Sequence, residues 1–431
     1  MNQIDRQKLY YIGNLSIFMI GLGFAVRANI APNLQAEIYD KIDMANSAAM
    51  VGEALGATFT GFALTLLFGS ALVDYVGMKK MMLLSALGYV AGACGLLFAA
   101  SSPEMAGIDN IVLISLLLTG LGWGAVEASS NPMVASLYPE EKTKRLNILH
   151  AWWPAGIVVG GLLGVAVDSL GWAWELNMFI LIVPAVILAV MVMGSQFPVT
   201  ERVAEGISYG EMMQELGKRP LFWVFWVTMF FTASAELAPG TWVNISLSNI
   251  VGMNGILILV YVSGLMFVMR HFAGQMVERF SSVGLMFISC VLAGIGLYLL
   301  SLANTPLLAF AAATIWGIGV CYMWPTLLGI TSERFPRGGA MILGLMGFGG
   351  GLAIQFVLPT MGGIFDSAKA AALESGAAME EAVRIASVES FQSIAIIPLL
   401  LLPVYGAIWL YDRKKGGLVA ETEATMQENA L

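Results

Sequence analysis

The sequence predicts an all-α membrane protein of twelve transmembrane helices in two pseudo-symmetric six-helix bundles. Three observations carry that fold class. Twelve apolar stretches, broken by short polar turns, fill almost all of the 431 residues. Hydrophobic residues make up 58% of the chain and charged ones 12%, too apolar a balance for an ordinary soluble globule. Most of the Lys and Arg lies in alternate turns.

A helix that crosses the hydrocarbon core needs about 20 apolar residues. On that measure the spans run 10–31, 50–73, 81–100, 110–137, 147–168 and 172–194 in the first bundle. The second bundle has 220–243, 254–277, 282–302, 306–329, 339–363 and 390–411. The domains are therefore 1–194 and 220–411, joined by a linker at 195–219 and followed by a tail at 412–431. The turns on the side of the termini hold sixteen Lys and Arg, among them Arg6, Lys8, Lys79, Lys80, Arg279 and Arg413. The opposite turns hold three, Lys41, Lys369 and Arg384, and only Arg27 and Arg270 fall inside spans. The positive-inside rule then puts both termini in the cytoplasm of an inner or plasma membrane. The first span follows Arg6 and Lys8 as a signal peptide would, but with eleven spans to come it reads as an uncleaved helix.

Several function classes are excluded. The net charge of −8 is spread through loops and an acidic tail (Glu421, Glu423, Glu428), so no basic face remains for nucleic acid. Cys94, Cys290 and Cys321 all lie within spans, so no disulfide framework is implied. The sequence has no Gly-x-x-x-x-Gly-Lys-[Ser/Thr] loop, no metal-ligand cluster and no Ser/His/Asp arrangement. Gly120-Leu-Gly122-Trp-Gly124 sits inside an apolar span with no strand before it and is not a dinucleotide loop. An enzyme is therefore not expected, nor a cofactor or metal, and the energy for any transport must come from a gradient.

The two bundles repeat each other. Ser70-x-x-x-Asp74-Tyr75-x-Gly77-x-Lys79-Lys80 follows span two, and Gly274-x-x-x-Glu278-Arg279 follows span eight at the matching place. Gly122 to Pro139 in span four and Gly319 to Pro336 in span ten are both 17 residues apart. Parallel six-helix repeats of this kind build transporters with a substrate site between the halves near mid-membrane. Glycines four apart (Gly156, Gly160, Gly164; Gly347, Gly351) fit close helix packing, and also seams along which helices rock.

The run Ser70 to Lys80 resembles the loop 2–3 signature of the major facilitator superfamily, with Ser in place of the usual first Gly, and this likeness extends over essentially the whole chain. Shorter stretches are similar to the fucose permease group of sugar:proton symporters: Glu127-Ala-Ser-Ser-Asn131-Pro132, Arg145-Leu146-Asn147, Glu236-Leu-Ala-Pro-Gly240-Thr-Trp242 and Met323-Trp324-Pro325-Thr326, with the Gly-rich run to Pro359. One position departs. Ala28 stands where fucose permeases carry a proton-coupling Asp, and Arg27-Ala28-Asn29-Ile30 looks like span one of the anion:cation symporters, in which an Arg meets organic anions.

An ionised side chain at mid-membrane costs roughly 2.5–3.5 kcal/mol, so each needs a reason. Arg27 shares a helix face with Ser16, Ile20 and Gly23 and reads as a substrate or gating cation, or as an Arg snorkelling outward. Glu127 shares a stripe with Trp123 and Asn131 and is the foremost proton carrier; its charge is favoured beside Arg27 and its proton when Arg27 turns to an anion. A permanent Glu127–Arg27 pair is the structural alternative. Glu236, before Pro239, is the second coupling candidate. The aromatics Trp153, Trp242, Tyr322 and Trp324, with Asn131 and Gln355, are the remaining substrate-binding candidates, although indoles also fill membrane interfaces and helix seams. His150 reads as an interface histidine near the cytoplasmic end of span five. Asp74 with Lys79 and Lys80, Glu278 with Arg279, and Arg270 near the inner end of span eight read as gating or structural charges.

The expectation is proton-coupled uptake of a sugar or sugar derivative by alternating access, with a small organic anion such as a sugar acid held by Arg27 as the alternative. Antiport export and a non-transporting sensor rank below. The expected partners are that small molecule, protons (sodium is the alternative coupling ion) and the lipid bilayer, for a chain acting as a monomer. The Ala- and Glu-rich segment 366–389 is expected to form a short helix on the outer surface.

Overall fold

A computed structural model describes residues 4–44, 47–139, 142–204, 206–251, 253 and 255–418. The acidic residues Glu421, Glu423 and Glu428 lie outside them. The described chain is helical almost throughout. The first six spans are α1 (Arg6–Leu34), α2 (Ser47–Val76), α3 (Met78–Ser101), α4 (Ile108–Leu137), α5 (Lys142–Ser169) and α6 (Asn177–Met193). After a linker helix (Tyr209–Lys218) come α7 (Pro220–Val251) and α8, made of α8a (Ile256–Arg270) and α8b (Ala273–Phe280). Then follow α9 (Ser282–Leu302), α10a (Pro306–Val320), α10b (Met323–Arg334), α11 (Gly339–Glu374) and α12 (Met379–Lys414). Eleven of these helices are long and apolar enough to cross a membrane, and the bent α8 pair makes up to twelve.

Local chemistry sets the boundaries. Asp5 caps α1 by accepting from the Lys8 N–H, and Thr305 caps α10a with Pro306 at the first position. Ser208 and Glu211 form a capping box on the linker helix. Gly77, at φ 87°, makes the left-handed turn between α2 and α3 that a side chain would strain.

Small residues bring the helices together. A Cβ on Gly21 would stand 2.0 Å from the Trp153 carbonyl oxygen, and one on Gly156 would stand 2.2 Å from that of Phe18, so α1 and α5 touch backbone to backbone. The run Gly156, Gly160 and Gly164 lies along that contact, within the first six spans. Gly347 and Gly351 face Leu66 and Phe62 of α2, so this second run joins the first six spans to the last six. A second seam of that kind runs between α5 and α8a, where Gly161 meets Val260 and Ile256.

Two features differ from the sequence reading. The eighth span is not one straight helix to 277, because α8a and α8b meet at a 69° bend just after Arg270. The segment 366–389 is not a separate surface helix. Its first part continues α11 to Glu374 and its last part begins α12, and Phe365 and Ala368 pack on Val383 and Ala386 across the hairpin.

Candidate functional site

Between the two groups of six spans lies a cavity of about 20 Å³ walled by Trp123, Glu127, His150, Trp153, Glu236, Leu237, Arg270 and Trp324. This leaves room for about one water and falls far below the roughly 300 Å³ of a small-ligand pocket, so the molecule is closed around its centre. The wall is unusually polar for its depth. Glu127, His150, Glu236 and Arg270 are each no more than 6% exposed.

Glu127 comes from the middle of α4, whose length carries it into the core. Its Oε2 accepts a hydrogen bond from Asn131 Nδ2 at 2.8 Å, one turn on. Asn131 Oδ1 in turn accepts from His150 Nε2 at 3.0 Å, and that nitrogen is 3.8 Å from Glu127 Oε2. The amide thus bridges an acid and an imidazole on two helices. A second small cavity on the other side of Glu127, lined by Asn131, Ser70 and Gly344, extends toward the linker side of the molecule.

Glu236 lies on α7 and pairs with Arg270, Nη2 to Oε1 at 3.0 Å, while Glu236 Oε2 makes no hydrogen bond. Two further bonds hold the guanidinium. Arg270 Nε donates to the Cys321 carbonyl at 2.7 Å and Nη1 to the His150 carbonyl at 2.9 Å. Proline explains why those carbonyls are free. Each stands four residues before a proline, Pro154 or Pro325, which has no N–H to close the helical bond. Ala235, four before Pro239, shows the same relation, and its carbonyl accepts from Trp316 Nε1 at 3.2 Å.

Arg27 sits on α1 behind Trp123. Its guanidinium lies 5.4 Å from the Trp123 ring and 6.0 Å from that of Phe24, near the Tyr89 hydroxyl. Nη1 and Nη2 make no hydrogen bond of good geometry, Tyr89 being the polar group beside them, and among the described residues no carboxylate pairs with Arg27. The permanent Glu127–Arg27 pair, the structural alternative, is therefore not formed; Asn131 bonds the Glu127 carboxylate instead, with His150 behind the amide.

Of the other residues singled out in the sequence, Trp153 and Trp324 line the cavity and Asn131 stands directly behind it. Trp242, Tyr322 and Gln355 lie elsewhere. Trp242 is buried between Gly52 and Gly362, the Tyr322 hydroxyl donates to the Met269 carbonyl, and Gln355 accepts from Thr60 at 2.7 Å across the α2–α11 seam. On the linker side Asp74 accepts from Thr200 and pairs with Arg202 at 2.6 Å, closing that end, while Lys79 caps α6 through the Met193 carbonyl. Lys80, Glu278 and Arg279 are exposed. Arg270, expected near the end of its span, and His150, expected at an interface, instead share the central wall. The overlooked signal was the pair of prolines four residues beyond a carbonyl.

Twelve spans, a central polar chamber between two six-span groups, and seams of small residues are the arrangement of a secondary transporter. The sequence profile of the Major Facilitator Superfamily matches residues 14–357, and the chain belongs to that superfamily: it is an integral membrane transporter and not an enzyme. Among relatives, the uncharacterised MFS-type transporter YttB of Bacillus subtilis is 23% identical over 288 residues, 63% of this chain and 68% of that one. The minor myo-inositol transporter IolF of the same organism is 31% identical over 119 residues, 27% of this chain and 26% of that one. The gallate transporter of Pseudomonas putida is 25% identical over 179 residues, 37% of each chain. These last two matches span well under half of the relatives. In solved structures, a D-xylose–proton symporter superposes with a TM-score of 0.74 at 15% identity, covering 92% of this chain and 96% of that one. The Escherichia coli fucose:proton symporter does so at 0.58 and 16%, covering 91% and 98%. Both show the shared fold.

Proposed function

We propose that the protein is a proton-coupled symporter that brings a small hydroxylated organic anion, such as a sugar acid, into the cytoplasm by alternating access. One observation carries the reading: Arg27 is a buried cation whose two terminal nitrogens make no hydrogen bond, and the Trp123 ring it lies over also walls the central cavity. An isolated buried charge is costly, and a carboxylate that reached it would recover that cost in a bidentate bond. Trp123, Trp153 and Trp324 offer apolar faces for the C–H face of a hydroxylated ring. The relative named for gallate, an organic anion, accords with this reading.

Glu127 is the proton carrier in this scheme, with Glu236 as a second site. Asn131 keeps Glu127 oriented, and His150 beyond it offers the next polar group. The six-span groups 1–194 and 220–411 rock about the central cavity, and the positive-inside charge asymmetry places the linker side in the cytoplasm. Sodium is the alternative coupling ion.

The three indoles also favour a second reading, a neutral sugar, in keeping with the myo-inositol transporter among the relatives. Uptake into proteoliposomes under an inward proton gradient separates the two. Accumulation of hydroxy-acids that Arg27→Gln abolishes is expected. Accumulation of neutral sugars that survives Arg27→Gln would replace the anion reading with the sugar one.

A further inference from the structure

Every hydrogen bond of Arg270 described above has a different parent: one acceptor on α7, one, the Cys321 carbonyl, at the break between α10a and α10b, and one, the His150 carbonyl, on α5 in the other group of spans. The first two partners travel with Arg270 whenever the last six spans move together. The third does not. Separation of α5 from α8a must break it, and Pro154 guarantees that the His150 carbonyl has no backbone N–H to fall back on. Both groups would then need water or another partner in a low-dielectric interior.

We infer that Arg270 is a clasp between the two halves, a positioning residue whose grip on the His150 carbonyl is set by the ionisation of Glu236. The guanidinium is a planar fork, so fixing Nη2 on the carboxylate also fixes the direction of Nη1. With Glu236 ionised, the fork lies against Glu236, Cys321 and His150 together. A proton on Glu236 removes the charge that anchors the fork. The guanidinium can then turn into the central cavity and the α5–α8a seam opens. The charged and titratable groups that face Glu236 are Arg270 on α8a, Glu127 on α4, His150 on α5 and the Cys321 thiol between α10a and α10b. Of these, Arg270 alone forms an ion pair with it. The inference rests on the transport reading for its purpose, but the clasp itself is a statement about an equilibrium between closed and open forms, independent of what is carried.

The decisive variant is Pro154→Ala. It leaves Arg270, Glu236 and the cavity wall untouched and gives the His150 carbonyl its own helical N–H, which competes with the guanidinium. Pro184→Ala in α6, remote from the clasp, is the control. Spin labels at Lys80→Cys and Glu278→Cys, exposed positions in the two groups of spans, report the opening in a Cys94→Ala background. Pro154→Ala is expected to raise the open-to-closed ratio about tenfold at pH 8, the factor that one buried hydrogen bond is worth, while Pro184→Ala leaves it unchanged. Glu236→Gln is expected to hold the open form at every pH, where the wild type opens only on acidification. Arg270→Lys, which keeps the charge and loses the fork, should match Pro154→Ala and serves in its place should Pro154→Ala fail to fold. Wild-type distances in both Pro154→Ala and Arg270→Lys would overturn the clasp. These distances need no substrate: a wild type that takes up no hydroxy-acid, with shifted distances in the variants, would sink the anion reading alone, and hydroxy-acid uptake by the wild type with unshifted distances in the variants would sink the clasp alone.

Discussion

Arg27 and Arg270, the two arginines within the spans read from the sequence, are both buried and oppositely provided for. Arg270 has a carboxylate and two carbonyls, and its fork is bonded at all three nitrogens. Arg27 has aromatic faces and a nearby hydroxyl, and its two terminal nitrogens make no hydrogen bond. Burial therefore does not separate a structural cation from a receptive one; the inventory of acceptors does. A cation with its acceptors in place is part of the frame. A cation without them, beside a cavity, is a place where a ligand's charge finds a vacancy.

That contrast breaks most sharply on thermal stability. Arg270→Met leaves Glu236 an unpaired buried carboxylate and two carbonyls without donors, and should lower the unfolding free energy by about 3–5 kcal/mol. Arg27→Met strands no partner and should cost less than about 1 kcal/mol or stabilise, while ending anion-dependent stabilisation. Equal losses in detergent melts would erase the distinction. The next effect sharpens it: adding Glu236→Leu to Arg270→Met should recover about 2 kcal/mol or more, because the stranded carboxylate goes with its partner. Glu127→Gln keeps the bond from Asn131 and should melt within about 1 kcal/mol of wild type. It should exchange substrate across the membrane but fail to accumulate it against a gradient, which counterflow and proton-driven uptake distinguish. Trp123→Leu should cost about 0.5–2 kcal/mol of cation–π support to Arg27 and leave Arg270 unaffected.

Much of this was legible from residue type alone. Twelve apolar stretches, the linker and the repeat required only composition and period, which the bilayer reads directly. Glu127, Glu236, Trp153 and Trp324 stood out because a carboxylate or indole within an apolar span has few ordinary reasons to be there. Arg270 and His150 were set too near the membrane surface for two physical reasons. The bend after Arg270 ends the straight part of its span early, and α5 is long enough that His150 lies two turns inside it. Helix bends follow from three-dimensional packing, and nothing in Arg270-His271-Phe272 announces one. The pairing of Glu127 with Asn131 rather than Arg27 was likewise decided by helix rotation, which periodicity along one helix leaves undetermined.

The long hairpin of α11 and α12 has a practical consequence. At 36 residues α11 is about 54 Å long, against a hydrocarbon core of roughly 30 Å, so its far end stands clear of the lipid as a rigid two-helix stalk closed by the short turn after Glu374. Small transporters give imaging methods little to align on once the micelle hides them. A compact soluble protein grafted between Glu374 and Met379, with both helices carried unbroken into it, would give the molecule a visible fiducial on the face opposite the linker without touching the central cavity.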